Sequence, residues 1–267
     1  MKKITLILLA FGNFGAFAQI ETDRPDFTES PNTVPKGALQ VETGFIMEND
    51  KIENLGGSFE YQNLTLNTTL IRYGLLEHLE LRFNWANNQN EETQKRLIQG
   101  GVDSSFSSVT SGFLTSFVGF KTNLYKTDKI SIGFLGHLYV PDLSSGDFKV
   151  DNQKVASELL FPVSYQITER FGVAAQYGIN WDGLSPNPTT GYTLAFGYAI
   201  SDQLNCYIEP YGFLTNNGEE LHLVNGGFTY LVNNNFHYLL NNRKDAPQLI
   251  KLSGASSFKP KPPVRSN

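Results

Sequence analysis

One cysteine, Cys206, two methionines and two tryptophans are all that 267 residues contain of those types. A single cysteine excludes an intramolecular disulfide framework. Histidine is scarce as well: His78, His137, His222 and His237 lie far apart, with no HExxH and no paired-cysteine spacing. No metal site and no cofactor is expected. Positive charge is in deficit, 21 Lys and Arg against 26 Asp and Glu, with a pI near 5.4. That balance argues against nucleic acid as a partner. Long apolar runs are missing too, so past the first residues nothing is long enough for a helical membrane span. "GGVDSSFSS", Gly100 to Ser108, lacks the Lys and the following helix of a phosphate loop; it reads as a flexible outer loop.

What is present begins with a secretory signal. Lys2 and Lys3 precede the short apolar run Ile4 to Phe11, and Ala16-Phe17-Ala18 offers small residues where a signal peptidase cuts. The expected signal is residues 1–18, with the mature chain starting at Gln19 and no lipid-bearing cysteine after it. An exported chain without a spanning helix is left with the periplasm, the exterior or an outer membrane.

From Gly37 the sequence alternates in period 2, the signature of half-buried strands. In "HLELRFNW" Leu79, Leu81, Phe83 and Trp85 alternate with Glu80, Arg82 and Asn84. "FGVAAQYGINW", "GYTLAFGYAI" and "KISIGFLGHLYV" behave alike. In "LTLNTTLIRYG" the apolar phase slips between Leu70 and Ile71, which predicts a bulge there. About twelve runs begin near Leu39, Leu64, His78, Leu114, Lys129, Glu158, Phe171, Thr190, Leu204, Leu223, Phe236 and Leu249. Tight turns at Leu75–Glu77, Lys126–Asp128, Thr168–Arg170, Ser201–Gln203 and Asn233–Asn235 alternate with long polar connections. The long ones are Glu48–Tyr61, Asn87–Thr110, Asp142–Gln153, Asp182–Thr189, Leu214–Leu221 and Asn241–Pro247. This asymmetry belongs to up-and-down transmembrane barrels, with short periplasmic turns and longer outer loops. The face opposite the apolar one is mostly Gly, Ala, Ser, Thr, Asn and Gln, suited to a narrow interior rather than to bulk water. The mean hydropathy of −0.25 fits a chain of which only alternate residues meet lipid.

Charges within the strands are few. Glu42, Glu80, Arg82, Lys121, Glu158 and Glu209 fall on the inward phase, and Arg72 joins them only if Ile71 and Tyr73 face outward. A lipid-facing Arg or Lys costs roughly 2–4 kcal/mol at the midplane, so these residues are expected to line the interior. They read as a network of offsetting charges or, more sharply, as a selectivity ring or a substrate clamp. Cys206 sits on the lipid-facing phase as a small hydrophobe.

The segment "IETDRPDFTESPNTVP" gathers Glu21, Asp23, Asp26 and Glu29 around Arg24. Pro25, Pro31 and Pro35 block a helix and a central strand, and the carboxylates lack the spacing of a calcium loop. The expectation is that Glu21 to Pro31, with Asp23, Arg24, Asp26 and Glu29, folds across the periplasmic mouth as a plug. Some of its carboxylates then pair with Arg72, Arg82 or Lys121. The competing expectation is a disordered acidic leader. A triad of His137, Ser131 and Glu158 can be drawn, but nothing in the spacing supports it.

Three blocks carry a resemblance: "TDRPDFTESPNTVPKGALQVETGF", "TTLIRYGLLEHLELRF" and "GGFTYLVNNNF". They resemble the outer-membrane family named after the phenol meta-cleavage degradation pathway, whose members are commonly labelled transporters. The similarity runs from about Ile20 to Phe258. It implies one outer-membrane barrel that passes small compounds, aromatic ones among them, and it implies no catalytic residues.

The expected fold is therefore all-β, a closed antiparallel up-and-down transmembrane barrel of about twelve strands. It spans residues 37–258, after an acidic Pro-containing segment at 19–36 and before a basic Pro-rich tail at 259–267. Its partners are outer-membrane lipids, the barrel assembly machinery and a small solute. The expected function is passive passage of that solute, with Glu42, Arg72, Glu80, Arg82, Lys121 and Glu209 lining the interior and no enzymatic activity. The alternatives are a sealed structural or surface-interaction barrel and, more remotely, a membrane-embedded hydrolase.

Overall fold

The computed structural model describes residues 23, 27–54, 57–98, 101–149, 154–215, 220–233 and 236–243. The signal, Arg24, Asp26, the run from Leu249 and the basic tail lie outside them. The described chain is all-β. One antiparallel sheet holds thirteen strands: β1 (Leu39–Glu42), β2 (Ile46–Asn54), β3 (Gly57–Leu76), β4 (Leu79–Ile98), β5 (Gly101–Phe113), β6 (Ser116–Lys126), β7 (Ile130–Val140), β8 (Ala156–Gln166), β9 (Phe171–Trp181), β10 (Thr189–Ala199), β11 (Leu204–Leu214), β12 (Glu220–Asn233) and β13 (Phe236–Arg243).

Each strand pairs with its neighbour in sequence, with two exceptions that share one cause. β3 and β4 are each 20 residues long, against 11 for most others. β1 and β2 both pair with β3, and β5 and β6 both pair with β4. β1/β2 and β5/β6 are thus single staves broken in two, and the sheet has eleven staves. These correspond one to one with the first eleven runs read from the sequence. The sheet curls into a barrel-like surface through 236°.

Two of the connections expected to be long loops are strand instead. Glu48–Tyr61 and Asn87–Thr110 lie mostly within the β2–β3 and β4–β5 hairpins, which carry the sheet past its other strands. Gly101–Ser108, read as a flexible loop, is the start of β5. The cause is polarity on both faces. "NNQNEET" against "SSFSSVTS" shows no apolar alternation, yet Asn87–Ile98 keeps its backbone ladder to Gly101–Phe113.

The phase slip in β3 is real but sits earlier than expected. The register shifts between Leu66 and Thr69, and Asn67 takes φ 51°. Asn tolerates this left-handed conformation better than other side chains, as a bulge requires. Leu70 had looked outward only because it is apolar. It points inward and packs with Phe117, Tyr139 and Ala156. Ile71 and Tyr73 then face outward, and Arg72 inward.

The side-chain distribution is the reverse of a soluble protein's. Val41, Ile208 and Phe228 are more than half exposed on the outer face, as are Leu138 and Val224. Lys121, Glu80 and Glu209 have no exposure on the inner face. No helix of the described chain is long and apolar enough to cross a membrane, which says nothing about crossing by strands.

Candidate functional site

The inner face collects these charges near one level, two to six residues in from the short-turn end of each strand. Register explains how. Arg72 of β3 stands directly opposite Arg82 of β4, and Glu80 of β4 opposite Lys121 of β6. Glu42 of β1 pairs beside them, opposite Leu70. Two arginines face to face repel, and a carboxylate must come between them. Glu80 supplies one, accepting Arg72 Nε and Nη2 at 2.9 Å each and Arg82 Nη1 at 3.2 Å. Glu42 accepts Arg72 Nη1 at 3.0 Å.

The other carboxylates come from the N-terminal segment. Asp23 sits among all three cations. Lys121 Nζ reaches both its oxygens at 2.6 Å, Arg82 Nη1 donates at 2.6 Å, and Arg72 Nη1 lies at 3.1 Å. Glu29 takes both oxygens to Arg82 Nη2 at 3.0 Å, with Lys121 at 3.6 Å. Seven groups thus form one network, three cations against four carboxylates. Burial tends to push the Asp23 carboxyl up, but Arg72, Lys121 and Arg82 outweigh it and hold it well below the usual carboxylate range. The surplus negative charge falls on Glu29. Burial pushes its carboxyl up to about 7, with the Asp23 charge adding and Arg82 and Lys121 opposing.

From there the segment crosses the interior. Phe27 N and Thr28 N donate to Glu209 of β11 at 3.0 and 2.7 Å, and the Thr28 hydroxyl bonds both Glu209 and Thr193 of β10. Asn225 of β12 donates to the same glutamate at 2.6 Å. Phe27 lies 4.4 Å from the Tyr211 ring and meets Phe213 edge-on at 6.1 Å. Glu29 N donates to Gln176 of β9, whose amide in turn donates to Phe27 O, both at 2.9 Å. Ser30 N then donates back to Asp23 Oδ1 at 3.1 Å, which closes a loop.

The chain leaves toward the short-turn end. Asn123 donates to Pro31 O, Ser131 to the Asn32 side chain, Thr33 to Glu77 O, and Val34 N to Glu80 at 2.7 Å. Two glycines make room for this exit. A Cβ on Gly133 would stand 2.8 Å from Pro31 Cα, and one on Gly74 would stand 2.1 Å from Pro35 O. Residues 23 and 27–34 therefore span the interior from the β3–β6 wall to the β9–β12 wall.

The structure brings Asp23, Glu29, Glu42, Arg72, Glu80, Arg82 and Lys121 into one cluster, while Glu209 holds the far wall. Arg24 and Asp26 lie outside the described residues. Sequence reading overlooked the receivers of the far wall: Gln176, Thr193, Tyr211 and Asn225. Their signal was available, since each is polar or aromatic on the inward phase near mid-strand. A second group, whose His137 and Glu158 the sequence had already suggested together and to which the structure adds Tyr139 and Phe117, lies nearer the long-loop end. There Glu158 Oε2 accepts from Tyr139 Oη at 3.1 Å and lies 2.9 Å from His137 Nδ1, and Phe117 stacks on the imidazole at 4.2 Å. Ser131 is engaged with Asn123 and Asn32, not with His137, so these three residues make no triad. Among the described residues no group of three His, Cys, Asp or Glu could hold a metal.

No curated protein matches this sequence. A family model does: the one described as "Putative MetA-pathway of phenol degradation" matches residues 22–249, and the chain belongs to that family.

Proposed function

We propose that the chain is a closed β-barrel of the bacterial outer membrane that passes a small solute, aromatic compounds among the candidates, around or past a removable N-terminal plug. The single observation that carries this reading is the inverted side-chain distribution: an exposed apolar outer face around a charged, buried interior. Soluble monomers rarely expose contiguous apolar surface beyond a few hundred Å², and hydrocarbon is the solvent in which such a face is favourable. A sheet there has no open edge. The run read from the sequence near Leu249 lies outside the described residues; an even number of strands puts both ends of such a barrel on the short-turn side, in the periplasm. The barrel assembly machinery and outer-membrane lipids are the partners this reading requires, and it assigns no enzymatic step.

Passage rather than mere scaffolding is supported by how the plug is held. Among the described residues its contacts to the walls run through side chains, as hydrogen bonds, ion pairs and the ring contacts of Phe27, and residues 23 and 27–34 belong to no strand, so it can leave without breaking the sheet. A sealed barrel is the second reading, favoured by Leu70, Leu135 and Tyr211, which are fully buried on the inner face. Planar-bilayer recording separates the two. Stepwise openings of the purified mature chain, more frequent when the plug is weakened by substitution, support passage. Silence of both wild type and weakened plug at all voltages overturns it in favour of the sealed barrel.

A further inference from the structure

The three cations of the β3–β6 wall are not matched by carboxylates of the wall itself. Arg72 is satisfied there, forked onto Glu80 and bonded to Glu42. Arg82 and Lys121 find only Glu80, at 3.2 and 4.0 Å, and Glu80 is already the bidentate partner of Arg72. Three cations face two wall carboxylates, leaving one positive charge in excess at full burial. An uncompensated buried charge is strongly unfavourable, so the wall by itself is built to receive an anion. The geometry is that of a receptor: Lys121, Arg82 and Arg72, from three different strands, all converge on one carboxylate. Lys121 and Arg82 of the wall donate to it from their side chains, beside the segment's own Ser30 N–H. On the opposite wall Tyr211 and Phe213 already hold a phenyl ring, that of Phe27.

We propose that Arg72, Arg82 and Lys121 form a binding site for the carboxylate of a passing solute, and that Asp23 is its internal stand-in. The solute class is small organic carboxylates, aromatic ones accommodated by the Tyr211 and Phe213 rings. Such a solute takes over the contacts of Asp23 and so favours departure of the plug, since a ligand shifts an equilibrium by its differential affinity for the two states. This rests on the plugged-passage reading and adds to it the chemistry that releases the plug.

The test uses the full mature protein in detergent, with benzoate as probe and benzamide as its neutral counterpart. Asp23→Asn with Glu29→Gln removes the stand-in and the carboxylate that would ionise in its place, and calorimetric titration is expected to show saturable benzoate binding. That binding is lost when Lys121→Met is added, and benzamide binds at least tenfold more weakly. Equal binding of the two probes, or benzoate binding indifferent to Lys121→Met, overturns the proposal. A second measurement keeps the wild-type charges and so does not depend on that variant folding. Ser30, buried in the plug, is replaced by cysteine in a Cys206→Ser background and labelled with a water-soluble maleimide. Benzoate is expected to raise the labelling rate severalfold over benzamide at matched ionic strength, and an equal rate overturns the proposal. A barrel that conducts but does not tell benzoate from benzamide removes the receptor and leaves passage standing. Selective benzoate binding in a barrel that never conducts removes passage and leaves the receptor.

Discussion

Asp23→Asn, Glu29→Gln and the double variant test whether the seven-group network acts as a unit. Asp23 is buried among three cations, and breaking a buried pair by neutralising one partner costs about 3–5 kcal/mol. The network softens that loss. Without the Asp23 charge, one influence holding the Glu29 carboxyl high disappears. Glu29 then ionises more readily, and three cations face up to three carboxylates. The expected cost of Asp23→Asn is therefore the lower figure, roughly 3 kcal/mol. Glu29→Gln mimics a group that already carries a proton for much of the time near neutral pH, and its expected cost is at most about 1 kcal/mol. In the double variant no such adjustment remains: Arg82 and Lys121 share Glu80 alone, and the loss exceeds the sum of the singles by about 1–3 kcal/mol. The readout is maleimide labelling of Ser30→Cys, with Cys206 replaced by serine. Where opening and closing are fast against labelling, the rate follows the open population. At tenfold per 1.4 kcal/mol, Asp23→Asn is expected to speed labelling on the order of a hundredfold and Glu29→Gln less than tenfold. Strict additivity, with Glu29→Gln as damaging as Asp23→Asn, would refute the shared-charge argument.

The far anchor gives a second prediction. Glu209→Gln weakens charge-assisted bonds to Phe27 N, Thr28 N and Thr28 Oγ1 worth about 1.5–3 kcal/mol each when intact, and is expected to raise Ser30→Cys labelling at least tenfold while the melting temperature of the barrel changes little. Gly74→Ala places a methyl 2.1 Å from the Pro35 carbonyl oxygen; overpacking of this kind costs about 1–3 kcal/mol, and faster labelling is expected here too, whereas an unchanged rate would show that the exit path is not as tight as described. Seating depends on pH in a stated sense. Between the ordinary Glu value of 4.5 and about 7 the seated state holds a proton on Glu29 that the released state does not. Seating therefore weakens progressively as pH rises from 4.5 to about 7. The contribution of Asp23, whose carboxyl is held low, is present above the ordinary carboxylate range and lost on acidification below it. Plug release measured by proteolysis or conductance is thus expected to be least near pH 4.5, to rise up to about pH 7 and level off above it, and to rise again on acidification; release that falls steadily with rising pH would contradict this.

How much of this was legible in the sequence follows from where contrast between neighbouring residues exists. "FGVAAQYGINW" and "GYTLAFGYAI" alternate because one face carries exposed apolar side chains and the other packs on the interior, and both strands lie within a residue of where period 2 puts them. The hairpin of Asn87–Phe113 was invisible because both its faces are polar, and backbone pairing leaves no compositional trace. Leu70 misled the phase of β3, since inward residues of a small barrel are sometimes apolar too. Within the site, the inward charges were readable one strand at a time. Their meeting point was not, because register between strands is set by turn geometry and by the bulge at Asn67 rather than by any local pattern. The reach of Thr28 to Glu209, 181 residues away, has no sequence signal at all beyond two polar residues in need of partners.

The plug inside a lipid-facing barrel is the central claim, and single-channel recording of wild type beside the Asp23→Asn, Glu29→Gln double variant tests it most directly. Rare or small openings in the wild type, and frequent, larger, sustained ones in the variant, are the predicted result. Identical traces from the two proteins, whether silent or open, would contradict it.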